Sequence, residues 1–284
     1  MEEKFGLGAD IGGSHITTAI VDLNRHRILE HTRFRESVNS KGTADAITED
    51  WLKAIRKSLS LAPVAVTRIG IAMPGPFDYE KGISLIKDND KYESLYGINI
   101  KKVLSDHLSV PLNQICFSND AGCFLKGELF ANPNDHCRRA IGITLGTGLG
   151  TARFKNAYAE DANLWCKPFL DSIAEEYIST RWFLNRFYQL TGKKTTGVKS
   201  LASLYDADAS VPVIFNEFAE NLGRFLSEFI REDDPEVIVL GGNIARASRF
   251  FLTDLEARLQ KENLKVPIKI ASLGEDAPVL GAVI

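Results

Sequence analysis

The chain has no dense run of Lys or Arg, no apolar stretch that approaches the roughly 20 residues a membrane helix needs, and no C-x-x-C spacing among its cysteines. Each absence removes a function class. With 34 basic and 37 acidic side chains and a net charge of −3, the sequence lacks the electrostatic footprint of a nucleic-acid binder. The opening Met1-Glu2-Glu3-Lys4 is acidic and polar, so neither export nor membrane insertion is expected and a cytoplasmic location is. Cys116, Cys123, Cys137 and Cys166 read as buried thiols rather than a zinc knuckle. His136 beside Cys137 could reach toward a metal with Cys123 only at loose spacing. His15, His26, His31 and His107 are scattered, and only His15, directly after a glycine turn, has a suggestive neighbour.

What is present is an ordinary α/β composition, 44% hydrophobic and 25% charged, long enough at 284 residues for two domains. Two glycine turns stand out. D-I-G-G-S-H runs from Asp10 to His15, between the β-like runs Phe5 to Ala9 and Ile16 to Val21. G-T-G-L-G-T runs from Gly146 to Thr151, between Ala140 to Leu145 and Leu149 to Phe154. Gly12 and Gly13 let backbone N–H groups approach an anion without a Cβ in the way, and Ser14 adds a hydroxyl donor. Gly146, Thr147 and Gly148 repeat that chemistry. Either turn alone suits a plain hairpin; a pair, each with a hydroxyl among its glycines, points to a split nucleotide-binding cleft.

Further β-like runs are expected at Leu29 to Phe34, Thr67 to Ala72, Ile115 to Ser118, Val237 to Leu240 and Val266 to Ala271. Helical patterns are expected at Ala44 to Leu59, Ala121 to Phe130, Ser172 to Gln189, Val211 to Arg231 and about Phe250 to Lys261, with a brief terminal helix. Ile214, Phe218, Leu222, Phe225 and Phe229 recur every three or four residues and mark a buried face. The order of three strands, helix, strand, helix occurs twice in approximate form, each copy carrying one phosphate-type loop. Asn119-Asp120 ends a strand and starts a helix, at the carboxyl edge where α/β sheets bind ligands. Either residue could simply cap the helix. Beside phosphate loops, the carboxylate could instead accept a proton from a hydroxyl attacking a γ-phosphate.

Six motifs together resemble the ROK family of sugar kinases and sugar-responsive repressors. They are Asp10 to His15, A-M-P-G-P-F-D with Gly82 (Ala72 to Gly82), S-N-D-A-G with Gly127-Glu128 (Ser118 to Glu128), L-G-T-G-L-G (Leu145 to Gly150), L-G-G-N-I-A (Leu240 to Ala245) and L-G-A (Leu280 to Ala282). They follow the family's order and cover nearly the whole chain. The resemblance implies a two-lobed actin, hexokinase and Hsp70-like ATPase fold, with ribonuclease H-like lobes around a central cleft. One lobe would run over 1–118 with a C-terminal helix at about 272–284, the other over 119–271. It implies that Gly12, Gly13, Ser14, Gly146, Thr147 and Gly148 hold ATP phosphates, that Gly241 and Gly242 pack near the adenosine with Asn243 also among the ATP-binding residues, and that Asp10 acts on Mg²⁺ through its water shell. It further implies Asp120 as the base, Asn119 on a sugar hydroxyl, and Gly75 within Pro74-Gly75-Pro76 on the sugar side. Homodimers are usual in the family.

The chain also departs from the family pattern. Where relatives carry E-x-G-H and a cysteine-rich zinc loop, residues 159–179 read A-E-D-A-N-L-W-C-K-P-F-L-D-S-I-A-E-E-Y-I-S, with no histidine and one cysteine. No zinc site is expected. Glu175 falls where a sugar-contacting glutamate lies in relatives, or is a first-turn helix acid favoured by the dipole. Trp165 and Phe169 either stack on a pyranose or pack in a core. ATP-dependent phosphorylation of a hexose, most simply glucose to glucose 6-phosphate, is therefore expected. A catalytically impaired sugar or nucleotide sensor is the alternative. The repressors of the family carry a DNA-binding domain before the first phosphate loop; with nine residues before Asp10, that domain is not expected here.

Overall fold

The computed structural model describes residues 4–88, 91–131 and 137–284. His136, weighed above as a metal ligand, lies outside them. Two compact units emerge, residues 1–136 with 275–284, and residues 137–274.

The first unit begins with β1 (Phe5–Ile11) and β2 (His15–Asp22), paired antiparallel from Phe5↔Asp22 to Ile11↔Ile16. Short strands β3 (Arg27–Ile28) and β4 (Phe34–Ser37) both pair with β2. Helix α1 (Ala44–Leu59) follows, then β5 (Ile69–Met73), parallel to β1. A small hairpin of β6 (Phe77–Asp78) and β7 (Ile83–Ser84), then α2 (Ile100–Leu108), lead to β8 (Ile115–Asn119), parallel to β5, and α3 (Asp120–Phe130). The sheet order is β3-β2-β1-β5-β8.

The second unit repeats this plan. Strands β9 (Arg139–Leu145), β10 (Leu149–Lys155) and β11 (Tyr158–Asp161) form an antiparallel meander. The chain continues through β12 (Pro168–Phe169), β13 (Ser172–Ile173), α4 (Ala174–Tyr177), α5 (Thr180–Thr191), α6 (Val198–Ala202) and α7 (Ser210–Asp233) to β14 (Val237–Gly241), α8 (Leu252–Lys261) and β15 (Ile268–Ile270). Its order, β11-β10-β9-β14-β15, matches that of the first sheet strand for strand, with the last two again parallel. Helix α7 buries Ile214, Phe218, Leu222, Phe225 and Phe229 along one stripe, as its periodicity requires.

Three expectations need correction. The strand expected over Leu29 to Phe34 is broken by a 3₁₀ turn at Glu30–Thr32. There the Thr32 hydroxyl accepts from Ile20 N–H at 2.9 Å, replacing a ladder bond, while Ser58 Oγ donates to Thr32 O at 2.8 Å. The helix expected over Ser172 to Gln189 is likewise broken. Ser172 and Ile173 pair with Phe169 and Pro168, and Ile178 and Ser179 leave helical geometry before α5 starts at Thr180. Finally, the unit boundary falls after α3 rather than before it, because α3 packs on the C-terminal helix α9 (Asp276–Val283).

That contact is backbone on backbone. A Cβ on Gly281 would lie 1.9 Å from Cys123 O, and one on Gly127 would lie 1.9 Å from Ala277 O. On the sheet side, a Cβ at Gly8 or Gly70 would stand 2.0 Å from the carbonyl of Val279 or Ala282. Overpacking a core costs about 1–3 kcal/mol, and here rigid backbone is what must yield. Gly281→Ala and Gly127→Ala should each lower Tm by about 4 °C or more in thermal unfolding. Gly197→Ala, whose added methyl meets open space, should leave Tm nearly unchanged.

Candidate active site

In the first unit the parallel strands β1, β5 and β8 end together, with Asp10 beside Ala72 and Met73 beside Asn119 in register. Asp10 is half-buried at the end of β1. Burial pushes its carboxyl up to about 7; the negative charges of Asp120 and Glu275 add to the rise, and the Arg35 guanidinium opposes it. Three acids therefore share one electrostatic neighbourhood at the carboxyl edge of this sheet, two of them named from the sequence.

Asn119 caps α3, its Oδ1 accepting from Ala121 N–H at 2.8 Å and Gly122 N–H at 3.2 Å. Asp120 Oδ1 also accepts from Ala121 N–H, at 2.9 Å. The capping alternative holds for both residues and leaves further polar capacity: Asn119 Nδ2 donates to the Tyr79 hydroxyl at 3.3 Å. Tyr79 in turn donates to Met73 O at 3.1 Å, and a Cβ on Gly75 would lie 3.3 Å from that hydroxyl. Tyr79 thus ties the Pro74-Gly75-Pro76 turn, whose Gly75–Pro76 bond is cis, to Asn119.

The first glycine loop closes with Gly12 N–H donating to His15 O at 2.9 Å, and Ser14 is exposed. Tyr92 donates its hydroxyl to Gly12 O at 2.5 Å, and Lys91 Nζ would stand 2.6 Å from a Cβ on Gly13. A cation therefore lies against the loop, as an anion site would use.

The second unit has its own cluster. Gly146 N–H donates to Gly148 O at 3.1 Å, which closes the turn between β9 and β10 and leaves Thr147 exposed. Gly241 pairs with Thr144 in register, and Gly242, at φ +85°, comes so close to Leu145 that a Cβ would meet its carbonyl at 2.3 Å. The Gly241-Gly242-Asn243 turn is thereby fixed beside the second loop. Glu175 Oε2 accepts from Leu149 N–H at 3.0 Å and would stand 2.5 Å from a Cβ on Gly148. Its other oxygen pairs with Arg181 at 3.3 Å. Thr180 donates both its N–H and its hydroxyl to Gly146 O, at 2.8 and 2.9 Å.

Trp165 sits outside the core, 42% exposed, with Nε1 donating to Asn163 Oδ1 at 2.9 Å. Phe169 is buried in the core against Tyr177 and Phe225. The buried-thiol reading holds for Cys123 alone; Cys116 and Cys166 are exposed and Cys137 is half-buried. Among the described residues, no group of three or more His, Cys, Asp or Glu could hold a metal ion, and no helix is long and apolar enough to cross a membrane. Sequence reasoning missed Glu275, Arg35, Lys91, Tyr79, Tyr92 and Thr180. Only Lys91, a cation next to an aromatic in a polar stretch, left any local signal.

The model of the ROK family matches residues 6–159 and 172–284. The chain belongs to the ROK family. The unmatched stretch between those spans lies within the segment where the family's sugar and zinc residues are missing. An N-acetyl-D-glucosamine kinase of Histophilus somni is 25% identical over 308 residues, covering 97% of this chain and 96% of the relative. A glucokinase of Thermotoga maritima is 22% identical, covering 97% and 95%. The crystal structure of a ROK glucokinase from Streptomyces griseus, in complex with glucose and AMPPNP, superposes at a TM-score of 0.75 with 20% identity, covering 98% of each chain. This ROK protein therefore has the fold of those sugar kinases.

Asp10 supplies a test of the electrostatics. Its folded value of about 7 stands above the roughly 3.9 of an unfolded chain. The stability it contributes is thus fully present below about pH 4 and lost as pH rises through 7. Asp10→Asn has no charge to bury. In protein free of nucleotide and metal it should melt at least about 2 °C above wild type at pH 8, with the gain closing toward pH 4.

Proposed function

We propose that this ROK protein transfers the γ-phosphoryl group of ATP to a hydroxyl of a hexose, with glucose as the first acceptor to test. The observation that carries the reading is the placement of Asp120 at the carboxyl end of β8, sharing its electrostatic neighbourhood with Asp10 and directly after Asn119, which Tyr79 ties to the Gly75 turn. Asp120 accepts the proton of the acceptor hydroxyl as its oxygen bonds to the γ-phosphorus and the bond to the ADP oxygen breaks. Asn119 and Gly75 line the sugar. In the first unit, Gly12, Gly13 and Ser14 are the proposed phosphate contacts; in the second, taken by itself, Gly146, Thr147, Gly148, Gly241, Gly242 and Asn243 are the proposed nucleotide contacts. The kinase relatives and the glucokinase solved with AMPPNP support this assignment.

ATP chemistry implies Mg²⁺, and the residues fit it: a carboxylate pushed up first by burial and then by the negative charges of Asp120 and Glu275 is what a divalent cation would stabilise. Asp10 would hold it through its water shell, and the ion would supply neutralisation of phosphate charge.

Glu175 is the proposed survivor of the family's sugar-gripping set. Its hydrogen bond to Leu149 N–H, next to the second glycine loop, supports that reading, and Trp165 offers an accessible apolar face nearby in sequence. A sensor without turnover is the second reading, favoured by the unmatched stretch between residues 159 and 172.

A coupled ADP-release assay across glucose, other hexoses and N-acetylhexosamines decides between turnover and sensing. Removal of a general base costs about 10²- to 10⁴-fold. Asp120→Asn should therefore lose at least about 100-fold in kcat on the best sugar with nucleotide affinity nearly unchanged; near wild-type turnover would remove Asp120 from the chemistry. Glu175→Ala should raise KM for sugar about tenfold, the cost of an unpaired buried hydroxyl, and Trp165→Ala should act in the same direction. A rise in KM for ATP alone would assign Glu175 to the second loop.

A further inference from the structure

Beyond the first glycine loop, a chain of side chains runs within the first unit from Ser14 to the last helix. Ser14 Oγ lies 2.8 Å from His15 Nδ1, and His15 Nε2 lies 2.6 Å from Arg35 Nη2. Arg35 closes an ion pair with Glu275, while Arg33 pairs with the neighbouring Asp276 at 2.9 Å. The ladder between β2 and β4 builds this arrangement, since His15 faces Ser37 and Thr17 faces Arg35. Side chains two residues apart on a strand share a face, so His15 and Arg35 meet on one side of the sheet.

The direction of each hydrogen bond follows from what a guanidinium can do. Arg has five N–H donors and no acceptor, so the 2.6 Å contact commits His15 Nε2 as the acceptor. The ring proton is then on Nδ1, where it donates to Ser14 Oγ. A hydroxyl that accepts there has its own proton left to give, and Ser14 is exposed at the loop, beside glycines that leave the backbone open to an anion.

We propose that Arg35 and His15 form a positioning relay that fixes Ser14 as an O–H donor to a phosphate oxygen at the first loop, with Glu275 holding the relay in place. The inference rests on the phosphate-binding reading of that loop. Without the relay, the serine hydroxyl rotates freely between donor and acceptor states, and a bound phosphate must order it.

Two measurements test it. In nucleotide-free protein, ¹⁵N-edited NMR of the histidine ring, assigned by comparison with His15→Asn, should show the Nδ1–H tautomer; an Nε2–H tautomer overturns the relay. Titration with Mg²⁺ and a non-hydrolysable ATP analogue should show Ser14→Ala and His15→Ala each about tenfold weaker than wild type. The double variant should be no weaker than either single one, because both remove the same hydrogen bond to phosphate. His15→Asn, whose amide N–H reaches the position of Nδ1, should recover most of the loss. Unchanged binding in His15→Ala, or losses that multiply in the double variant, overturns the proposal. A wild type that binds no analogue overturns the phosphate reading and with it the role of the relay. The tautomer in the same sample still reports its geometry, so the two failures are distinguishable.

Discussion

The direct contact of helix α9 with strands β1 and β5 and with helix α3 is the constraint on which the first unit depends. Gly8, Gly70, Gly127 and Gly281 lack the Cβ atoms that would hold these backbones apart. Helices normally pack 8–10 Å apart through interleaved side chains, and a seam of glycines brings carbonyl and Cα surfaces together instead. The turn before α9 is thereby set at the sheet's carboxyl edge, where Glu275 and Asp276 meet Arg35 and Arg33. The charges around Asp10 follow from how tightly this helix is laid down.

Both units use the same strand order and put a glycine turn at the same place, between the first two antiparallel strands. Their surroundings then diverge. The first loop meets Lys91, Tyr92 and a serine backed by a histidine; the second meets Glu175 and Thr180. One loop thus has a cation beside it and the other a carboxylate, although their backbone topology is shared. Local sequence makes a loop possible, and residues brought from elsewhere in each unit decide its electrostatic character.

That division explains what could be read before the structure. Hairpins, parallel strands and the stripe of α7 are encoded over short spans, by glycine turns and by periodicities of two and 3.6, and these were legible. The break at Glu30–Thr32 was not, because it depends on Thr32 meeting Ile20 across the sheet. The break before Thr180 was missed for a similar reason, since the capture of Gly146 O joins residues 34 positions apart. Asp10, Asn119 and Asp120 stood in motifs and could be named. Glu275 and Arg35 are separated by 240 positions, and their meeting is a product of the tertiary fold. Residues 159–179, which lack the family's motif, offered the least to reason from.

The return of residues 275–284 to the first unit has a consequence for biosynthesis. Strands β1 to β8 leave the ribosome before α9, so the surface on which α9 belongs stays uncovered until the chain has been made through Val283. During that interval the glycine-lined faces of β1, β5 and α3 have no partner, and the whole second unit is synthesised meanwhile. The first unit is therefore finished only after the second has been synthesised, and its acidic neighbourhood around Asp10 comes into being once α9 has been made.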